Sequence, residues 1–315
     1  MGKQLRWVSI YALARGLMLV TLVVPRSLAL RVFGGLGGVG YVLLRRGRMR
    51  AEVNLSLAFP ERSRQEIRRL ARRVYVELGR NCVDVFRLRR LKWHQLGGFI
   101  RVEGLSYLEE AMSRGKGVVA VTGHIGCWEL LGAYLSMMGY PLAVIVRPLR
   151  DERLERLIDG LRRSKGMRPI SRIGSVKAAY SWLKRGGVLG VLIDQDTSVK
   201  GVFCDFFGRP AYTPAGPAYL ALRTGAGIVP MAIQMDEDGT QIIRVKEPID
   251  VPGGQDTEAC VRSVMQACTQ AMEECIRLRP TQWVWMHERW KTVPAMESVG
   301  TESGISRGAE CPISS

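Results

Sequence analysis

Gly117-VVAVTGHIGCWELLGA-Tyr134 is the stretch from which the rest of the chain can be read. The apolar run 118–121 has the length and valine content of a buried strand, and residues 128–138 have the length and spacing of an apolar helix. Between them lies Gly123-His-Ile-Gly126, so His124 stands where a sheet delivers its strand ends, the usual place for a site in an α/β fold. Working outward, 142–146, 188–193 and 228–233 repeat the strand signal, and 151–165, 175–184 and 214–223 repeat the helical one. This alternation predicts an α/β domain with a largely parallel sheet flanked by helices. Residues 241–246 read as a further strand after the turn 236–240, and 257–278 as a long closing helix.

Upstream the character changes. The whole chain has 46 Lys+Arg and 29 Asp+Glu, a formal charge of +17. Residues 1–100 hold 20 basic and 5 acidic side chains, net +15. Such an excess seeks nucleic acid or an anionic membrane surface, and the N-terminus selects the second. Residues 7–24 are apolar apart from Arg15, and a Gly-rich apolar stretch, 32–44, is closed by Arg45, Arg46, Arg48 and Arg50. The expectation is a membrane anchor, either a short spanning helix or an interfacial hairpin, with the following arginines on the cytoplasmic side. No small-x-small cleavage site follows the first apolar run, which argues against a signal peptide. No recognised nucleic-acid motif accompanies the charge. The expected organisation is an anchor with a basic flank over 1–50, a basic amphipathic helical region over 51–100, an α/β domain over 101–293 and a disordered tail over 294–315. In the second region Ile67, Leu70, Val74, Leu78, Cys82 and Val85 recur at helical spacing with arginines on the other faces. The seven cysteines form no CxxC pair, so neither a disulfide framework nor a zinc site is indicated, and free thiols suit a reducing cytoplasm.

The chemistry centres on His124 and Glu129, five residues apart. On one continuous helix their side chains would diverge by about 140°. They meet only if His124 lies in the turn and Glu129 in the first helical turn, in which case the carboxylate fixes the tautomer and the other ring nitrogen accepts a proton from a hydroxyl. The plainer alternative is an incidental histidine, with Glu129 favouring a helix start. His94 reads as a surface residue, and His287, inside Trp283-Val-Trp-Met-His-Glu-Arg-Trp290, as part of an aromatic packing cluster or the lining of an acyl groove. There is no Gly-x-Ser-x-Gly elbow, Walker A loop, dinucleotide fingerprint or HExxH, and nothing in the sequence calls for a nucleotide, metal or other cofactor.

His124-x4-Glu129 after a strand resembles the HX4(D/E) motif of glycerolipid-type acyltransferases. The surroundings resemble the late, lauroyl/myristoyl acyltransferases of lipid A biosynthesis. In order come Asn54-Leu-Ser-Leu-Ala-Phe-Pro60, Gly123-His-Ile-Gly-Cys-Trp-Glu-Leu130, Arg147-Pro148, Arg162 four residues before Gly166, Asp194-Gln-Asp196, Phe206-Phe-Gly-Arg-Pro210, Thr213-Pro-Ala-Gly216 and Trp285-Met-His-Glu-Arg289. The resemblance covers roughly residues 5–291. It implies a glycerol-3-phosphate-acyltransferase-like sheet and an enzyme on the cytoplasmic face of the inner membrane. The reaction implied is transfer of a fatty acyl group from acyl carrier protein, or coenzyme A, to a hydroxyl of a membrane lipid A precursor. His124 is then the base and Glu129 its orienting acid. Arg162, Asp194, Arg147 and Asp196 match positions for substrate or oxyanion binding, or, for Arg162 and Asp194, an ion pair bracing the site. Cys127 and Glu129 depart from the commoner Asn and Asp without removing a functional group. Two other readings remain at this stage: the same chemistry on another glycolipid such as a phosphoinositol mannoside, and an inactive lipid- or carrier-binding protein.

Overall fold

The computed structural model describes residues 2–252 and 257–294. Four helices lead the chain, α1 (Gly2–Val23), α2 (Arg26–Leu43), α3 (Arg45–Ala58) and α4 (Arg64–Arg87), followed by the short α5 (Trp93–Leu96). The alternating part then runs β1 (Ile100–Glu103), α6 (Leu105–Ser113), β2 (Val118–Thr122), α7 (Trp128–Met137), β3 (Leu142–Val146), α8 (Glu152–Arg163), β4 (Arg168–Ser171), α9 (Ser175–Lys184) and β5 (Val188–Leu192). A hairpin, β6 (Gly201–Phe206) and β7 (Arg209–Pro214), precedes α10 (Gly216–Thr224), β8 (Gly227–Met235), β9 (Gln241–Val245) and α11 (Glu258–Leu278). The tail expected to be disordered lies, from residue 295 onward, outside the described residues.

Seven strands form one sheet in the order β1-β9-β8-β2-β5-β3-β4, parallel throughout except where β8 meets β9. Every residue of β2 is buried, as a strand covered by helices on both faces requires. The expected strands are all present. Two members, β1 and β4, escaped the sequence reading because they are four-residue edge strands with little apolar content, and β4 carries Pro169, which reads against a strand. The β6–β7 hairpin was also missed. Its turn is Phe207-Gly208, both at positive φ (56° and 70°), the backbone of a two-residue primed turn. The unfavourable conformation of Phe207 is held by packing of its ring on Phe59, Phe206 and Trp285, and by its N–H donating to Glu273 Oε2 at 2.6 Å.

Helix α4 starts with a capping box, Ser63 and Glu66 bonding reciprocally. Its apolar face packs on α2 and α3, and Arg68, Arg69, Arg72 and Arg73 lie on the exposed side. The α2–α4 crossing is close enough to demand glycine. A Cβ on Gly37 would lie 2.1 Å from Tyr75 O, and one on Gly79 would lie 2.1 Å from Phe33 O. Gly79→Ala should therefore push the helices apart and cost on the order of 1–3 kcal/mol, read as a lower unfolding midpoint in detergent. Gly35→Ala is the control: nothing lies within 4 Å of its Cβ, so that variant should be neutral or slightly stabilised. The outer faces of α1 and α2 stay apolar and exposed, with Leu13, Leu19, Val23, Val32, Leu36 and Val42 among them. Within α1, Arg6–Val23 is long and apolar enough to cross a membrane.

Candidate active site

Strands β2 and β5 pair in register from Val118↔Val188 to Thr122↔Leu192. The two residues that follow each strand end, His124 and Asp194, therefore emerge side by side. His124 Nδ1 lies 2.8 Å from Asp194 Oδ1, and the His124 backbone N–H donates to Asp194 Oδ2 at 2.6 Å. Trp283 Nε1–H donates to the same Oδ2 at 2.7 Å. Burial alone raises the pKa of such a carboxyl. The charge and hydrogen bond of His124, the His287 ring and the Trp283 N–H outweigh it and hold Asp194 well below the usual carboxylate range. With Nδ1–H committed to Asp194, His124 Nε2 is left as the acceptor. The loop after His124 is pinned from the far end of the chain: Val284 N–H donates to His124 O at 3.2 Å and Gly126 N–H to Gln282 O at 2.7 Å. Gly126 sits at φ 57°, and a Cβ there would lie 2.0 Å from Ile233 O, so the bend admits no side chain.

The acids and bases of the site pair differently from the sequence expectation. Glu129, in the first turn of α7, does not hold His124. It takes a bidentate pair from Arg162, in the last turn of α8, with Nε–Oε2 at 2.9 Å and Nη2–Oε1 at 2.5 Å. The turn and first helical residues carry Glu129 past His124 onto α8, and Trp128 meets the His124 ring edge-on instead. The alternative Arg162–Asp194 brace is likewise replaced. Burial opposes the charge on Arg162, but the Glu129 hydrogen bond and charge outweigh it and raise the guanidinium pKa. Asp196 is not among the residues lining the cavity described below. It accepts from Thr292 N–H (2.7 Å) and Thr292 Oγ1 (3.0 Å), with Lys291 Nζ 3.7 Å away, and so fastens the last described segment. Arg147 is exposed at the end of β3 with no side-chain partner among the described residues.

Three residues not singled out for chemistry complete the cluster. Gln195 Nε2 lies 3.2 Å from His124 Nε2 and 2.9 Å from His287 Nε2, and the two rings are 5.0 Å apart. Burial, then the charge of His124, push His287 down to about 4 against the opposing pull of Asp194, so this imidazole is neutral at physiological pH. Asn54 holds it there: Nδ2 donates to Trp285 O (2.8 Å) and His287 O (2.7 Å). Asn54→Ala leaves two carbonyls without that donor, so a loss of about 1–3 kcal/mol in stability together with reduced turnover is expected, from denaturant curves and kinetics on the same variant. His287 was visible in the sequence, but the signal in its aromatic surroundings favoured packing; Gln195 and Asn54 stood only inside segments that carry the family resemblance, with no role assigned to either.

His124, Glu129, Arg162 and Arg147 all line one cavity of about 1760 Å³. Val85, Phe86, Leu131, Leu135 and Met167 make part of it apolar, and Arg172 and Lys177 add cations elsewhere on its wall. The volume exceeds that of ordinary small-molecule sites, about 300–1,000 Å³.

A histidine–aspartate pair thus stands at the carboxyl ends of two parallel strands, and its histidine lines a large, partly apolar cavity. Residues 3–292 match the family model for bacterial lipid A biosynthesis acyltransferases, and the chain belongs to that family. It is 26% identical over 288 residues to the lipid A biosynthesis lauroyltransferase of Escherichia coli K12, covering 89% of this chain and 90% of that one. It is also 26% identical over 270 residues to the phosphatidylinositol mannoside acyltransferase of Mycolicibacterium smegmatis, covering 84% and 86%. The E. coli palmitoleoyltransferase of lipid A biosynthesis is 26% identical over 271 residues. The chain is an O-acyltransferase of this family.

Proposed function

We propose that this enzyme moves a fatty acyl group from an acyl carrier protein thioester to a hydroxyl of a lipid A precursor, at the cytoplasmic face of the inner membrane. The observation that carries the reading is His124, committed through Nδ1 to a buried carboxylate while lining the large cavity. In the proposed step Nε2 takes the proton of the acceptor hydroxyl as its oxygen attacks the thioester carbonyl. Asp194 stabilises the imidazolium that forms. The tetrahedral oxyanion needs donors, and Arg162, aligned by Glu129, is the charged candidate nearest in role. Collapse of the intermediate expels the carrier thiolate, which recovers the proton from His124. The apolar walls suit the acyl chain, and Arg147 suits a phosphate of the acceptor. The apolar faces of α1 and α2 and the net +15 of residues 1–100 would concentrate the enzyme at an anionic membrane. On this reading the sheet is of the glycerol-3-phosphate-acyltransferase-like type, with α1 and α2 as its anchor.

One observation favours a second acceptor. The mycobacterial relative, whose name specifies a phosphatidylinositol mannoside, is as similar to this chain as the lipid A enzymes are. Mass spectrometry of membrane lipids from cells with and without the protein separates the two. Loss of one acyl chain from lipid A, restored by wild type but not by His124→Ala, supports the first reading; an unchanged lipid A with one acyl chain missing from another glycolipid supports the second.

A further inference from the structure

A second cavity, of about 610 Å³, lies against α4 and shares no lining residue with the acyl cavity. Val85 and Phe86 face the first, whereas Asp84 and Arg87 face the second. Six of its lining residues are basic and one is acidic. That acid is already neutralised: Arg26 pairs bidentately with Asp84 at 2.7 and 2.6 Å, and Gln241 donates to Asp84 Oδ2 at 2.8 Å. The other five cations have no acidic partner among the described residues. Arg87 spends one nitrogen on Thr21 O and Val24 O at the end of α1. Lys165 donates to Leu91 O at 2.6 Å, and burial pushes its ammonium below its ordinary value, as befits a cation without a counter-ion. Arg89, Arg90 and Lys92 make no side-chain hydrogen bond or ion pair among the described residues. The carboxyl end of α4 makes this gathering of cations tolerable, but it does not neutralise them.

Apart from Gln95, the remaining wall (Leu22, Leu91 and Phe99) is apolar and continuous with α1. Leu22 lines the cavity from α1, and Leu19, Val20 and Val23 beside it are exposed. A ligand that satisfies both parts has a compact anionic head and an apolar body. We infer that this cavity binds the phosphate headgroup of an anionic membrane lipid, with the acyl chains lying along the exposed face of α1. The inference rests on the reading of α1 as membrane-associated. It adds a lipid site separate from the one where acyl transfer is proposed.

The test is native mass spectrometry of the full chain in a neutral detergent with added phosphatidylglycerol or phosphatidylcholine. The wild type should retain one phosphatidylglycerol per chain and little phosphatidylcholine. Arg89→Ala/Arg90→Ala/Lys92→Ala, all exposed and outside the fold's hydrogen-bond network, should weaken retention by about tenfold or more, since charge-assisted hydrogen bonds to phosphate are the strong ones. Arg68→Ala/Arg69→Ala/Arg72→Ala removes the same charge from the exposed side of α4 and should retain the lipid. Equal loss in both triple variants, or equal retention of the two lipids, overturns the site. Displacement by millimolar inorganic phosphate shows that the pocket takes free phosphate instead, and competition by acyl carrier protein that requires the same three residues assigns the cations to a protein; either result overturns the lipid. Fractionation judges the underlying reading separately: a wild-type chain absent from the membrane fraction refutes membrane association, whatever the adducts show.

Discussion

His124→Ala is expected to reduce acyl transfer by about 10²–10⁴-fold, the usual worth of a positioned general base, with the enzyme still folded. The side chain is partly exposed, and the backbone bonds that fix the loop, from His124 N–H to Asp194 and from Val284 to His124 O, do not depend on the imidazole. Asp194 loses the ring donor but keeps two others, the His124 N–H and Trp283 Nε1–H, so the carboxylate is not orphaned. The loss should therefore fall on turnover far more than on the unfolding midpoint, which thioester-release kinetics and a thermal melt on one preparation would show. His94→Ala, at an exposed position, should leave both unchanged. Activity of His124→Ala within tenfold of wild type would remove the histidine from the chemistry.

Much of this architecture is legible in the sequence because parallel strands buried on both faces write themselves as unbroken apolar runs. The stretch 118–121 needed nothing beyond its own residues to be recognised, whereas β1 and β4 carry too little buried area to leave a mark. The site divides along the same line. His124 is recognisable because a strand, a glycine-bounded turn and a helix are all local to it. Its partner is not, because Asp194 lies 70 residues away and meets it only through the adjacency of β2 and β5, a consequence of how the crossovers place β3 and β4 outside them. Sequence spacing offered Glu129, the near acid, and the sheet order supplied the far one. His287 is more distant still, and Asn54, in α3, reaches the site only through the carbonyls of the segment that returns from the end of the described chain. Local periodicity carries no information about such a return.

Asp194→Asn should be the most damaging isosteric change in the protein, lowering turnover on the order of 10³–10⁴-fold, as loss of the carboxylate does in a base–acid pair of this kind. The direction follows from the donors around it. His124 N–H and Trp283 Nε1–H both point at Oδ2, so the amide oxygen of an asparagine must occupy that place. Its NH₂ then faces His124 Nδ1 and donates to it, which obliges the ring proton to move to Nε2 and removes the acceptor the hydroxyl needs. Glu129→Gln acts on another contact: it keeps the length of the side chain and one acceptor for Arg162 but loses the charge that aligns the guanidinium. Its effect should be smaller, and a pairing of Glu129 with His124 would reverse that order. The pH dependence of stability separates the two variants again. A carboxyl held well below its ordinary value stabilises the fold at neutral pH, and that contribution fades only as pH falls below about 4, where the unfolded chain takes up the proton and the folded chain does not. Asp194→Asn should therefore be less stable than wild type at pH 7, with the difference narrowing toward pH 3 in parallel denaturant titrations. A difference that stays constant over that range would mean that Asp194 is not ionised against His124 in the folded enzyme.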